Sequence, residues 1–401
     1  MPATNTATRY GSVTKSFHWL TALLILTVIP LGIIANGLPY ETSEELARKA
    51  WLFSLHKTVG VTIFFVALAR IGWAITQPKP APIHAGRPVE HFLAEMVHWL
   101  LYGSLVLVPL SGWIHHASTE GFAPIWWPFG QDLFFVPKNP ELAEFTAGLH
   151  IVLERVLAVS LVLHIAGAIK HALIDKDETL SRMLPGSTQA GIKENPRSRT
   201  PLIGAVVVWL AALGIGSAVG AFSHDGPAVQ QVALEEVSSD WQVQDGAISI
   251  TVTQFGSEVT GSFADWTSEI TFEDGQGPGQ RGSVRTVVAI PSLSLGTVTD
   301  QAMGPDFFNT AEHPTAVFEA DLFAEQDEVY LARGTLTIKG QSVPLDLPFS
   351  LDIQDATAQM SAQITLNRLD FGVGASMADE SSLAFAVVVD ITLTAQRSTD
   401  Q

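Results

Sequence analysis

The chain has 401 residues, with 22 Lys+Arg, 40 Asp+Glu, no cysteine and a formal net charge of −18. The lack of cysteine excludes disulfides, zinc ribbons, iron–sulfur ligation and thioether-attached haem. The acidic balance excludes nucleic acid as a partner, since phosphate binding needs a basic face. A mean hydropathy of +0.27 is too apolar for an ordinary soluble or disordered protein.

Those averages hide two unlike halves. Residues 1–222 carry 16 Lys+Arg and 14 Asp+Glu, a net of +2, and residues 223–401 carry 6 and 26, a net of −20. The first half holds long apolar runs and the second short alternating ones. Five segments reach the roughly 20 apolar residues that a membrane-crossing helix needs: about 17–38, 55–75, 93–114, 146–170 and 202–222. The first is too long for the apolar region of a signal peptide and lacks a clean A-x-A site, so it is expected to stay as an uncleaved helix.

Lys and Arg in the short loops set the expected orientation. Arg9 and Lys15 precede the first helix, Lys79 and Arg87 follow the second with Arg70 just inside it, and Lys170, Lys176, Arg182, Lys193, Arg197 and Arg199 follow the fourth. Across the membrane, Arg48 and Lys49 sit beside Glu41, Glu44 and Glu45, and the third loop has Lys138. The N-terminus is therefore expected in the cytoplasm of a cell whose inner membrane the chain crosses five times, with residues 223–401 in the periplasm.

Polar side chains within a bilayer are costly and call for a reason. His18, His56, His98, His150 and His164 lie inside the first four apolar segments. His150 and His164 share one segment. Fourteen residues at about 100° each return to nearly the same helix face, about 21 Å further along. One helix thus offers two imidazoles at two depths, the requirement of two stacked b-type haems with two axial bases each. Depth matching pairs His18 with His164 and His56 with His150, and without cysteine the two haems would be held non-covalently. A structural role, each histidine bonding a neighbouring helix, is the competing reading.

Arg70 lies fourteen residues after His56, where it would pair with a haem propionate or snorkel from a helix end. His98, at the inner depth, would bond a propionate or a quinone, or serve the bundle as a structural residue. Glu154 and Arg155 fall between the two levels, as a buried pair or in an aqueous crevice. His84, His91, His115, His116 and His171 fall in loops or at rims. Trp19, Trp51, Trp73, Trp99, Trp113, Trp126 and Trp127 cluster near segment ends, as an interfacial belt does.

After a polar linker at 223–240, period-two runs predict strands: AISITVTQF, EVTGSFADW, EITFE, GSVRTVVAIP, TAVFEADLFA, EVYLARGTLTIKG, VPLDLPFSLDI, AQMSAQITLNRLDF and LAFAVVVDITLTAQ, with a helical turn near MGPDFFNTAEHP. About nine antiparallel strands in so short a stretch predict a closed barrel or sandwich. Phe255, Phe263, Phe272, Phe307, Phe308, Phe318, Phe349 and Phe371 point inward, where they fill a solid core or line a lumen. No nucleophile–base or metal constellation accompanies them, so this domain is expected to bind rather than to catalyse.

The stretches SFHWLTALL, LHKTVG, EMVHWLLYGSLVLVPLSGW and GLH-x₁₃-H followed by IKHALIDKDETLSRMLP resemble the bacterial cytochrome b561 family over residues 9–185. The resemblance implies four helices holding two haem b groups that exchange electrons with the quinone pool, with ligands falling on His18, His56, His150 and His164. Some members of that family oxidise superoxide and reduce quinone. The fifth apolar helix departs from the pattern and reads as a tether. VTGSF, ITFE, IPSLSLGT, DFFNTAEHPTAVFEA, GTLTIKGQSVPLDL and LNRLDFGVG resemble the YceI-like family over about 241–397. That resemblance implies a lipocalin-like antiparallel barrel taking up polyisoprenoid chains, isoprenoid quinones among them.

The expected architecture is a di-haem α-helical membrane bundle at 1–190, a tether helix and linker at 191–240, and an all-β barrel at 241–401. The expected function is electron transfer between a quinone such as ubiquinone and an outer partner, with an isoprenoid in the barrel. The alternatives are an isoprenoid-binding or transport protein whose haem domain anchors or senses redox state, and a superoxide:quinone oxidoreductase.

Overall fold

The computed structural model describes residues 2–83, 87–119, 121, 123–189, 198–222, 234, 239–275, 277–325 and 330–398. His84, Lys193, Arg197 and most of the 223–240 linker lie outside the described residues. The chain forms two compact units, one helical and one built of strands.

The helical unit is made of α1 (Ser12–Gly37), α2 (Ser43–Thr76), α3 (Pro88–Ala117), α4 (Pro140–Lys170) and α5 (Thr200–Ala218). All five are long and apolar enough to cross a membrane. Most run past the apolar windows because their polar ends suit a helix terminus. Glu44 and Glu45 occupy the first turn of α2, where carboxylates complement the helix dipole. Asn139 caps α4 by accepting the Leu142 amide at 2.7 Å, with Pro140 next in the chain.

Large apolar side chains such as Leu23, Ile33, Val162 and Leu163 face outward, while Ile25, Val28, Ile63, Ala67 and Leu105 pack between α1, α2 and α3. Apolar groups on the outside suit a hydrocarbon solvent, as does the set of small and polar residues buried between helices, among them Ser104, Ser111 and Ser160. The fifth helix packs on the bundle: Ala205 joins Leu100 and Val156 in one buried cluster, with Trp209 beside them.

The second unit is one antiparallel sheet of ten strands among the described residues: β1 (Trp241–Gln254), β2 (Ser257–Phe263), β3 (Trp266–Phe272), β4 (Gly279–Ala289), β5 (Leu293–Ser294), β6 (Thr315–Ala324), β7 (Tyr330–Ile338), β8 (Gln341–Gln354), β9 (Thr357–Asn367) and β10 (Leu383–Arg397). Their order is β3-β4-β6-β7-β8-β9-β10-β1-β2-β5. The sheet curls like a lipocalin barrel. Its seam is closed by a side chain where no ladder runs: the Ser239 hydroxyl accepts the Ile270 amide of β3 at 2.7 Å and donates back to the Ile270 carbonyl at 2.9 Å. Trp241 Nε1–H donates to the Phe272 carbonyl at 3.1 Å.

Two hairpins turn on residue pairs that both take positive φ, Phe255-Gly256 and Lys339-Gly340, the backbone that matches strand twist in a two-residue turn. Three details differ from the sequence-based expectation. The run EVTGSFADW divides, because β2 ends at Phe263 and Trp266 opens β3, and β5 adds a two-residue strand inside IPSLSLGT. The helical turn comes earlier, as α6 (Thr299–Met303), and the stretch after it is folded by turns such as Asn309 N–H to Gly304 O at 2.9 Å.

Candidate functional site

The helical unit carries two histidine groups at two levels. At the level nearer the N-terminus, His18 of α1 and His164 of α4 face each other with ring centres 6.0 Å apart and planes at 56°. His98 of α3 stands edge-on to His164 at 5.1 Å, its Nδ1–H donating to the Ala94 carbonyl of its own helix at 2.6 Å. A metal–imidazole bond is about 2.0–2.1 Å. With half of each ring added, an ion shared by two imidazoles sets their centres about 6 Å apart. The His18–His164 spacing admits an ion between them and the His98–His164 spacing is short for one.

Arg70 lies with Cζ 5.0 Å from the Tyr102 ring centre, within Coulombic range of all three imidazoles.

At the other level the two imidazoles are seated alike. His56 Nδ1–H donates to the Val28 carbonyl of α1 at 2.9 Å, and His150 Nδ1–H donates to the Val108 carbonyl of α3 at 2.9 Å. A carbonyl can only accept, so each Nδ1 carries the proton and each Nε2 keeps its lone pair, the tautomer that binds a metal through Nε2. Four residues after each carbonyl comes a glycine. A Cβ on Gly32 would lie 2.8 Å from His56 Cε1, and one on Gly112 would lie 2.9 Å from His150 Nδ1. Sequence reasoning missed these two glycines. The signal was present as two V-x-x-x-G runs, VIPLG at 28–32 and VPLSG at 108–112.

The aromatic connection between α3 and α4 folds back over this level. The Trp126 amide donates to Thr58 Oγ1 at 3.0 Å, two residues past His56. Trp113, next after Gly112, donates its indole N–H to the Gly130 carbonyl at 2.9 Å, and Phe129 stacks on Phe65 at 5.4 Å. Some tryptophans expected in an interfacial belt therefore hold this connection against α2 and α3. Glu154 and Arg155 meet each other at 3.5 Å with the Arg155 side chain 74% exposed, so that guanidinium is not buried. His115 bonds the Ala143 carbonyl at 2.8 Å and lies beside His116 with its ring tilted by 60°.

After α4 the chain makes a π-helical turn and a charged clasp. Lys170 reaches Glu90 and Asp175, each at 2.8 Å, Arg87 reaches Asp175 at 3.1 Å, and His171 reaches Asp177 at 2.7 Å. Asp175 and Glu90 hold Arg87, which lies outside the helices, above the usual guanidinium range. The clasp turns the following segment back onto α1, where Trp19 donates to the Met183 carbonyl at 2.8 Å and Lys15 to the Leu184 carbonyl at 2.6 Å.

The curled sheet surrounds an apolar cavity of about 180 Å³, below the roughly 300–1,000 Å³ of ordinary small-molecule pockets. No charged side chain lines it. Its hydroxyls satisfy each other, Ser268 to Thr286 at 2.8 Å, and the Trp241 indole is occupied by Phe272. Of the inward phenylalanines, Phe272, Phe318 and Phe349 line this space, and Phe307 and Phe371 belong to a separate packed cluster. The lumen offers apolar contact and no free polar partner.

Residues 9–186 match the family model for prokaryotic cytochrome b561, and residues 241–395 match that for the YceI-like domain. The chain is 34% identical over 192 residues to cytochrome b561 homolog 2 of Escherichia coli, covering 47% of this chain and 97% of that one. It is 25% identical to a probable superoxide oxidase of Yersinia pestis, covering 44% and 96%. Among solved structures, BcnA of Burkholderia cenocepacia aligns with 37% of this chain and 95% of its own at 25% identity and a TM-score of 0.35.

Proposed function

The chain belongs to the prokaryotic cytochrome b561 family, and from that premise we propose that it is a membrane electron-transfer protein holding two haem b groups. His18 with His164, and His56 with His150, are the axial ligands. The observation that carries this reading is the seating of His56 and His150: each ring is fixed through Nδ1 with Nε2 left to bind iron. When bound, haem supplies reversible one-electron storage at iron. The chain's part is to set two such stations about 21 Å apart along α4, to fix imidazole orientation, and to cover one level with the Trp126–Gly130 connection. Arg70 and His98 complete the surroundings of the His18–His164 pair.

The partner in the membrane is a quinone, and the Lys/Arg distribution puts the N-terminus in the cytoplasm and the strand unit in the periplasm. There the uncharged lumen takes an isoprenoid chain, the tail of a quinone included. The likeness to a probable superoxide oxidase makes superoxide a candidate reductant, although a net charge of −20 on residues 223–401 disfavours approach of an anion. The uncharged lumen also favours a second reading, an isoprenoid carrier whose haem bundle is an anchor or redox sensor.

One experiment separates them. Purified protein should contain two haem b per chain that quinol reduces. Full haem content without quinol reduction, together with a co-purifying isoprenoid, selects the carrier.

Two further results are expected. Gly32→Ala or Gly112→Val pushes an imidazole off its carbonyl, and loss of such an orienting bond typically costs about 10–100-fold in metal affinity. Haem titration into the apoprotein should show one site weakened by that factor and the other unchanged. Leu347→Glu places a carboxylate on a side chain that is 3% exposed and lines the lumen. Apolar lipid recovered by solvent extraction of the purified protein should fall about tenfold or more, since an unpaired buried charge costs several kcal/mol. Unchanged lipid yield would remove the lumen as the binding site.

A further inference from the structure

The imidazoles do not account for a guanidinium buried beside them. Arg182 is 7% exposed, and its Nε and one terminal nitrogen are enclosed without a hydrogen-bonding partner. Among the described residues its charge meets the Tyr10 ring, with Cζ 5.3 Å from the ring centre. A guanidinium does not shed its proton in a protein, so a buried one needs a counter-charge.

Two observations locate where a counter-charge would sit. Arg9 Nε, one residue from Tyr10, is also enclosed and unpartnered. Burial pushes the Tyr10 phenol up while Arg182 pulls it down, and the same phenol feels Arg70. Tyr10 thus sits directly against Arg182. The backbone fixes Arg182 at this depth, because the next residue's carbonyl is held by Trp19, the neighbour of His18.

We propose that Arg182 is a guanidinium site for carboxylate, and that the carboxylate is a propionate of the haem held by His18 and His164. This rests on the ligand assignment above. A guanidinium suits the task because its planar fork meets a carboxylate with two parallel bonds. The π-turn and clasp after α4 carry Arg182 to that position, which gives the IKHALIDKDETLSRMLP stretch a role in cofactor binding.

The test uses the full-length chain in detergent, as wild type, Arg182→Gln and Arg182→Lys, with haem content and potentiometric titration as readouts. Wild type is expected to show two haems and two waves. In Arg182→Gln one wave moves to lower potential, since loss of a nearby positive charge favours ferric iron, and the other wave stays. Arg182→Lys restores most of the shift.

Haem dimethyl ester, whose propionates carry no charge, should bind wild type and Arg182→Gln with equal affinity at this site, whereas native haem binds wild type more tightly. Equal potentials and haem content in the two proteins overturn the proposal. So does an affinity difference that persists undiminished with the ester, which would assign Arg182 to an anionic lipid headgroup or to packing alone. Should Arg182→Gln fail to fold, the ester and native haem are compared in wild type, where identical waves overturn it. A wild type without haem sinks the ligand assignment, whereas two haems unaffected by Arg182 sink only this inference.

Discussion

His164→Ala should reduce the haem content from two to one per chain. His164 is the residue of α4 at the level nearer the N-terminus, with His18 facing it at 6.0 Å, and an alanine there offers iron nothing. His98, 5.1 Å from His164, is the nearby imidazole that could substitute, but the bond from its Nδ1–H to the Ala94 carbonyl of its own helix fixes the ring's direction, so its free Nε2 reaches the His164 position only if that bond breaks. Rescue would require moving a ring whose backbone is held in α3.

The pairing makes a stronger statement than the loss alone. His18→Ala and His164→Ala should remove the same component of the reduced-minus-oxidised spectrum, and His56→Ala and His150→Ala the other. The measurement is a haemochromogen assay against protein concentration, with low-temperature spectra to separate the components. If His164→Ala retains two haems, or if His18→Ala and His150→Ala delete the same component, the ligand assignment is wrong.

Arg368→Met should destabilise the strand unit by on the order of 4 kcal/mol, because one cation removed from a buried site leaves several partners unsatisfied. Arg368 is 4% exposed. It donates from Nε to the Ala384 carbonyl at 3.0 Å, from one terminal nitrogen to Val373 at 3.0 Å and Gly374 at 2.6 Å, and from the other to Met377 at 2.5 Å and Leu383 at 3.2 Å. Five donors meet five backbone carbonyls, so the crossing from β9 to β10 is organised around one side chain. Lys339 assists by donating to the Asp306 and Gly372 carbonyls at 2.7 and 3.0 Å.

A loss of that size corresponds to a fall of about 10 °C in the melting of a unit this large, read by the far-ultraviolet β signal, while the haem spectrum stays unchanged. Arg333→Ala is the control. Its guanidinium meets Asp346 at 3.3 Å with both side chains more than half exposed, and such pairs contribute about 0–1 kcal/mol. If Arg368→Met melts within 2 °C of wild type, the carbonyl cage does not hold that end of the sheet.

Much of the molecule was legible in one dimension. Burial in lipid demands a long apolar run and burial of one sheet face demands alternation, and both are local patterns; hence five helices and the strand runs could be marked before any contact was known. The same holds for His150 and His164, because fourteen residues of helix convert directly into a face and a depth. The LNRLDFGVG run could be recognised as a motif, but not its reason, since the carbonyls that Arg368 gathers come from both sides of a loop.

By itself the amino-acid order determined that this chain crosses a membrane, that it places two imidazoles on one stripe of α4, and that its second half is an antiparallel sheet. Only the tertiary structure decided that Val28 and Val108 carbonyls hold His56 and His150, with Gly32 and Gly112 making room. It also decided that His98 lies against His164, that Arg182 is buried against Tyr10, and that the inward aromatic set borders an apolar lumen as well as a packed end. The reason is that spacing along a helix or strand fixes direction and depth. Which carbonyl, ring or void lies opposite depends on how distant segments pack, and a side chain's own neighbours in sequence carry little of that information.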